Sequence, residues 1–162
     1  MSRTTKLRES IKEIIGSALE NITQQDDETD VQNGNVAQET ENTTQSGTGT
    51  QEENPGLQID VFYGQAKNDH SKQYVIFSVE EVTRQDGRIT YELEVNCIDY
   101  GYDTELCEEM ADSITAALDH SVTIEEEIEF HVYANRRNNV SAQDEKIIRR
   151  RLTFDLYLYE RN

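Results

Sequence analysis

Hydrophobic residues recur at every third or fourth position near the start of the chain, which is the period of an amphipathic helix. The stripe consists of Leu7, Ile11, Ile14, Ile15, Ala18 and Ile22. Most of the charged residues in between fall on other faces of the same helix. The pattern predicts a helix over residues 4–22, and we therefore assign residues 1–22 to the folded core.

Five later segments are rich in hydrophobic and β-branched residues, several of them in alternation with polar ones, which is typical of half-buried strands. They are residues 57–63, 73–82, 89–98, 124–133 and 147–160. Asp86-Gly87 lies between the second and third and predicts a hairpin turn there. A helical period returns over residues 103–119 and predicts a second helix.

This order of elements predicts the α+β class: an antiparallel-rich sheet of about five strands, with the two helices packed on one face. The chain has 162 residues, the length of one domain, and residues 57–162 form the α+β core. Alternation in three strands means that the opposite face of the sheet is polar. That face is expected to meet water or another subunit.

Residues 23–56 differ in kind from the rest. They contain eight acidic residues, no basic or aromatic residue, and only Val31, Val36 and Ala37 as apolar side chains. Such a segment buries too little apolar area to offset the entropy lost on ordering. We interpret it as an acidic, polar and flexible insert, which we call the acidic insert.

The formal net charge of −18 narrows the functional classes. Without the acidic insert, 25 acidic residues still face 15 basic ones, a balance of −10. Duplex-binding proteins gain most of their affinity from Lys and Arg on phosphates, so a duplex-binding surface is disfavoured. The basic residues comprise ten Arg and five Lys. An acidic, Lys-poor composition suggests a salt-adapted protein, such as one from a virus of a halophilic archaeon, because molar salt screens self-repulsion.

No catalytic motif of the common hydrolases, metalloproteases or nucleotide-binding proteins occurs in the chain. One metal hypothesis is Glu125, Glu127 and Glu129 with His131 on one face of strand 124–133, as carboxylates bind hard cations. A solvated, acidic strand face explains the same pattern with fewer assumptions. We therefore predict no catalytic, cofactor or metal site and no enzyme activity. Cys97 and Cys107 are expected to be buried, unreactive thiols.

A basic segment stands out against this acidity. Residues 136–162 carry seven basic and four acidic residues, a balance of +3. One interpretation is an edge strand protected by positive charges. The other is a subunit interface formed by Arg136, Arg137, Arg149 and Arg151. These arginines would dock on the acidic face of a neighbouring copy, at Glu125, Glu127 and Glu129, in a head-to-tail contact.

The order of elements also resembles that of the tail completion, or tail terminator, proteins of long-tailed viruses. The resemblance rests on six stretches and covers residues 4–22 and 57–162. The stretches are the first helix from Lys6, Asp60-Val-Phe-Tyr-Gly, Gln73-Tyr-Val-Ile-Phe-Ser-Val with its partner from Tyr91, the helix from Leu106, and the final strand from Arg150. The acidic insert departs from the family pattern.

The resemblance implies a virion structural protein at the junction of tail and neck. It implies a homo-oligomeric ring, commonly a hexamer in this family. The ring would cap the tail tube and join it to the head-neck connector. Implied partners are other copies of this chain, the tail tube protein and the neck or connector proteins. DNA would pass through the lumen without specific binding, and no cofactor is implied.

Two other hypotheses remain open at this point. The chain could be a monomeric adaptor or another neck-assembly module that uses the acidic insert as a docking segment. The least favoured hypothesis is a small metal-dependent enzyme built on the glutamates of strand 124–133. The first residues have no signal-like apolar run and no membrane span is present, so we expect synthesis in the host cytoplasm and no membrane partner.

Overall fold

Eight elements form the structure, a computed structural model that describes residues 2–28, 58–66, 72–101, 104–125, 128–141 and 146–160. The helices are α1 (Arg3–Glu28) and α2 (Glu105–Leu118). The strands are β1 (Asp60–Tyr63), β2 (Tyr74–Gln85), β3 (Arg88–Tyr100), β4 (Val122–Ile124), β5 (Ile128–Asn139) and β6 (Ile147–Glu160). The α+β class and the two helices are confirmed.

The strands form one sheet in the order β1-β2-β3-β6-β5-β4. β1 runs parallel to β2, and the other neighbouring pairs are antiparallel. The described sheet is therefore mixed and six-stranded, where about five strands in an antiparallel-rich sheet were predicted. The additional strand arises because predicted strand 124–133 is two strands. A reversal follows Ile124, where the amide of Glu125 donates to the carbonyl of Ile128 at 2.8 Å.

Both helices contribute to one hydrophobic core against one side of the sheet. The stripe of α1 is buried as predicted, with Leu7, Ile11 and Ile15 fully inaccessible to solvent. The buried side chains of α2 join the same cluster and include Met110 and Ile114. Burying a side chain of this size contributes about 1.5–3 kcal/mol relative to leaving it exposed, so both helices are integral to the domain.

Helix α1 ends at Glu28, six residues beyond its predicted end at residue 22. The hydrophobic stripe stops at Ile22, which is why the pattern placed the end there. A helix that has already nucleated propagates readily through Gln and Glu, which have good helix propensity. The first residues of the predicted acidic insert are thus helical. Residues 29–56, the rest of it, lie outside the described residues.

Candidate functional site

The pairing register sorts the strand residues into two faces. Residues directly opposite one another on neighbouring strands point to the same side of a sheet. Phe77 pairs with Val95, and Leu93 pairs with Phe154. All four are buried in the cluster shared with the helices, so this is the helix-covered face. The residues that alternate with them point to the other side, which we call the open face.

Three of the four predicted interface arginines gather at one end of the open face. Arg149 donates from Nε to Oδ1 of Asn96 at 3.0 Å, and Nε of Arg151 lies 3.5 Å from a carboxylate oxygen of Glu94. Arg136 is exposed on the neighbouring strand. Three arginines thus share this end with one close carboxylate. We call Arg136, Arg149 and Arg151 the basic cluster.

Arg137 does not join the basic cluster, because consecutive strand residues point to opposite faces. It lies on the helix-covered side and contacts Glu108 and Asp112 of α2. Arg150 points the same way and donates from Nε to Glu108 at 2.5 Å. The Arg137 guanidinium therefore has carboxylate partners within the subunit, and a role for Arg137 in a subunit interface stays a prediction. We call Arg137, Arg150, Glu108 and Asp112 the ion cluster.

Three carboxylates form a row across the middle of the open face. Glu80 pairs with Glu92 across β2 and β3, and Glu92 pairs with Asp155 across β3 and β6. The side-chain amide of Asn135 donates a hydrogen bond to Oδ1 of Asp155 at 3.2 Å. Like charges directly opposite in a sheet are destabilising, so this row carries a local cost. We call Glu80, Glu92 and Asp155 the acidic row. The pattern of residues along the sequence does not predict this row.

Aromatic side chains occupy the far end of the open face, beyond the acidic row. The ring centroids of Tyr133 and Tyr157 are 5.8 Å apart, and those of His131 and Tyr159 are 5.1 Å apart. The guanidinium of Arg88 lies 5.2 Å from the centroid of Tyr157. Tyr and Arg are enriched at the centres of protein–protein interfaces. The open face therefore has the composition of a contact surface.

The predicted acidic face is only partly assembled. Glu129 lies on the open face of β5, with an oxygen 3.2 Å from Nε2 of His131. Glu125 lies past the end of β4 and accepts a hydrogen bond from Ser10 of α1. Glu127 lies outside the described residues. Glu125 thus lies outside the strands and Glu129 within β5, and their role in an interface stays a prediction.

The two thiols are buried, as the sequence analysis expected. Cys97 lies on β3 and Cys107 on α2, and the Cys107 thiol donates to the carbonyl of Cys97 at 3.4 Å. Burial raises the pKa of both thiols, that of Cys107 to about 11. With their pKa raised, both groups stay in the thiol form near neutral pH. They are therefore unreactive, because the thiolate is the nucleophile and the metal ligand.

We expect native protein to react with iodoacetamide at least about 100-fold more slowly than protein unfolded in urea, since both thiols are neutral and buried. Mass spectrometry of timed samples measures the rates. A Ser141→Cys variant is the matched control, because Ser141 is exposed and its replacement should label rapidly in the native state. Equal rates for the two native cysteines in folded and unfolded protein would contradict the burial.

Among the described residues, no group of three or more His, Cys, Asp or Glu side chains is arranged to hold a metal ion. No helix in the described part of the chain is long and apolar enough to cross a membrane. The chemistry available on the open face is that of charged and aromatic contacts.

No protein-family model and no curated protein matches the chain. A structural match exists, however, with a chain in the solved structure of the virion of a native gene transfer agent particle. The match has a TM-score of 0.51 and covers 61% of this chain and 78% of the other. The two chains share a fold.

At 12% sequence identity, the likeness to the gene transfer agent chain shows the fold alone. What the open face binds must therefore be inferred from the side chains of this protein itself. The basic cluster, with Glu94 beside it, lies at one end of the open face, and the acidic row lies in the middle. The other end holds aromatic residues together with Glu129 and Arg88.

Proposed function

We propose that this protein is a virion structural protein that acts as a tail terminator. In this role it forms a homo-oligomeric ring that caps the tail tube and joins the tail to the head-neck connector. The shared fold with a chain of a gene transfer agent virion supports the virion assignment. The resemblance in the order of elements to tail completion proteins supports the finer one.

The charge segregation along the β5–β6 hairpin carries the assembly part of the proposal. Arg151 and Tyr159 are eight residues apart on β6, and Glu129 pairs with Tyr159. At about 3.3 Å per residue, the basic cluster and Glu129 are separated by roughly 26 Å. Glu129 is too far away to pair with the basic cluster within a subunit, where Glu94 is the carboxylate beside Arg151. The separated charges suit a head-to-tail contact in which the basic cluster of one copy meets the acidic end of the next.

A head-to-tail contact closes into a ring when the rotation between subunits allows it. Arginine suits such a contact, since its guanidinium binds a carboxylate through two parallel hydrogen bonds. The strongly negative chain gives a ring lumen through which DNA passes without specific binding, because like charges repel. The expected partners are the tail tube protein and the neck or connector proteins. The location is the tail-neck junction of the virion.

The first test is the absolute mass of the protein in solution, measured by light scattering after size exclusion at low and at molar salt. We expect a closed oligomer that persists at molar salt, where screening weakens the arginine–carboxylate attractions but also reduces the repulsion between copies of charge −18. A strict monomer under both conditions contradicts a ring that forms without a tail template. It favours the monomeric adaptor instead.

Reversing two charges of the basic cluster tests the contact itself. We expect Arg149→Glu with Arg151→Glu to weaken self-association at least about tenfold, because two attractive pairs become repulsive. Lys12→Glu with Lys72→Glu is the matched control, since both lysines are exposed and the change in net charge is the same. Concentration-dependent light scattering gives the affinities. Unchanged assembly of the double arginine variant would remove the basic cluster from the interface.

A further inference from the structure

Strand β4 leaves a set of backbone hydrogen-bonding groups directed away from the sheet. The carbonyl of Ser121 accepts from Val132, and the amide of Glu125 donates to Ile128, so these residues bond towards β5. Bonding direction alternates along an antiparallel strand. The amides and carbonyls of Val122 and Ile124 therefore point to the far side. Because β4 is the last strand of the sheet, no described strand pairs there.

The side chains beside this edge are equally uncovered. Val122 and Ile124 lie on the open-face side and are 53% and 61% exposed, high values for β-branched aliphatic residues. An edge with exposed apolar side chains and directed backbone groups is a template for another strand. Proteins commonly use such an edge to bind an extended peptide.

A groove lies on the opposite side of the same edge, between β4 and the two helices. Its volume is about 440 Å³. Ile14, Ala18 and Ala117 give it an apolar lining, and Thr123 borders it from β4. A strand added beside β4 would point alternate side chains into this groove and onto Val122 and Ile124. Both faces of the added strand would therefore find apolar surface.

The charges around the groove select the occupant. Glu13 and Glu125 line it, and no basic residue does among those that the structure describes. Glu129 stands on the open-face side, opposite Ile124. Two copies of β4 paired with each other would bring these glutamates together, which like-charge repulsion opposes. The complementary ligand is a strand with apolar residues towards the groove and lysine or arginine at its ends and towards Glu129.

We infer that the edge of β4 and the adjoining groove form a binding site for an extended, basic segment of another protein, which adds a seventh strand to the sheet. Backbone bonds from Val122 and Ile124 supply affinity. The groove accepts small apolar side chains, and Glu13, Glu125 and Glu129 recognise the positive ones. The inference does not depend on the virion role, since it rests on this edge alone.

The test uses the fluorescein-labelled peptide Lys-Thr-Val-Arg-Val-Thr-Lys and measures its binding by fluorescence polarisation. In an extended peptide the two valines and two lysines share one face, which fits an apolar groove with acidic ends. The threonines and the arginine share the other face, towards Ile124 and Glu129. We expect saturable binding. A peptide with glycine in place of both valines keeps the charge and should bind at least about tenfold more weakly.

An Ile124→Pro variant removes one outward amide without disturbing the bonds of β4 to β5, and proline is tolerated on an edge strand. We expect its affinity for the peptide to fall at least about tenfold, while Ile124→Val binds like the unmodified protein. Circular dichroism and thermal unfolding of both variants check that the fold is kept. Glu13→Lys, on the exposed rim of α1, should lower the affinity about fivefold through the lost attraction.

Three kinds of result would overturn the inference. Absence of binding at millimolar peptide does so directly. Equal binding to Ile124→Pro, or to the glycine peptide, would mean attraction of a basic peptide to an acidic protein without a site. Self-association lost on Ile124→Pro would mean that a second copy occupies the edge. A failure of this site leaves the basic-cluster contact standing, because Arg149→Glu with Arg151→Glu tests that contact without changing β4; the two contacts share only Glu129.

Discussion

Replacing Ile11 by Asp is expected to abolish the cooperative thermal transition of the protein, whereas the same replacement at Lys12 should leave it nearly unchanged. Ile11 is fully inaccessible to solvent, and Lys12, the next residue, is exposed. The two variants carry the same new side chain in the same helix. They differ in whether the carboxylate must enter the core.

The expected size of this effect follows from the cost of burying a charge without a partner. The side chain either remains ionised at a large desolvation cost or takes up a proton and loses its apolar contacts, for a total of at least about 5 kcal/mol. That is comparable with the whole stability of a typical domain, about 5–15 kcal/mol. Differential scanning calorimetry and circular dichroism measure the outcome.

The Ile11 experiment tests whether helix α1 is part of the folded core. Helix α1 is separated from β1 in sequence by residues 29–59, so it could in principle be an appendage. Its buried stripe and its place in the same cluster as α2 indicate that it is part of the core. A cooperative transition in Ile11→Asp close to that of the unmodified protein would contradict this. The remaining elements would then form a stable domain without α1.

The sequence predicted the elements well where one residue pattern decides the structure. The stripe of α1, the Asp86-Gly87 hairpin and the alternation of β6 each reflect burial on one face, which sequence periodicity reports directly. The division of residues 124–133 was missed for a related reason. A tight reversal continues the alternation of apolar and polar residues, so Ile124 and Ile128 appear to lie on one strand.

The acidic row could not be predicted because it depends on a register shift. Counting back from the two-residue turn at Asp86-Gly87 places Glu80 opposite Leu93. A bulge between Glu81 and Thr83 changes the pairing, so that Glu80 faces Glu92. No residue pattern in β2 marks that bulge. The partnership of Glu92 with Asp155 depends further on how β6 lies beside β3, since these two residues are 63 positions apart in sequence.

The grouping of the arginines in space could not be predicted from the sequence either. The sequence grouped Arg136, Arg137, Arg149 and Arg151 by proximity along the chain. In a strand, however, neighbours point to opposite faces, and this separates Arg136 from Arg137 and Arg149 from Arg150. The structure therefore divides one basic segment into two sets with different roles. The basic cluster faces outwards, and the ion cluster joins α2 to the β5–β6 hairpin.

Removing the Glu108 side chain should lower the free energy of unfolding by about 2 kcal/mol. Glu108 contacts both Arg137 and Arg150, and Arg150 is only 11% exposed. In Glu108→Ala the Arg150 guanidinium would remain largely buried without its nearest carboxylate. Leaving a buried polar group without its hydrogen-bond partner costs more free energy than the intact pair contributed to stability.

Urea unfolding followed by circular dichroism measures this difference. Glu109→Ala is the matched control, because Glu109 is the next residue of α2, has the same side chain and is exposed. Its replacement should change the free energy of unfolding by less than about 0.5 kcal/mol. Equal effects at the two positions would mean that the ion cluster adds nothing beyond general electrostatics.

The pH dependence gives an independent test of the same contact. The hydrogen bond from Arg150, together with the nearby charges of Arg150 and Arg137, lowers the pKa of Glu108 from its ordinary value. A carboxyl whose pKa is lower in the folded state stabilises the fold above its unfolded pKa, about 4.3, and loses that contribution as pH falls through the folded pKa. The stability difference between the unmodified protein and Glu108→Ala should therefore be full near neutral pH and shrink below about pH 4. A difference that stays constant across this range would mean that Glu108 stabilises the fold through packing, and that its charge is not what holds the hairpin to α2.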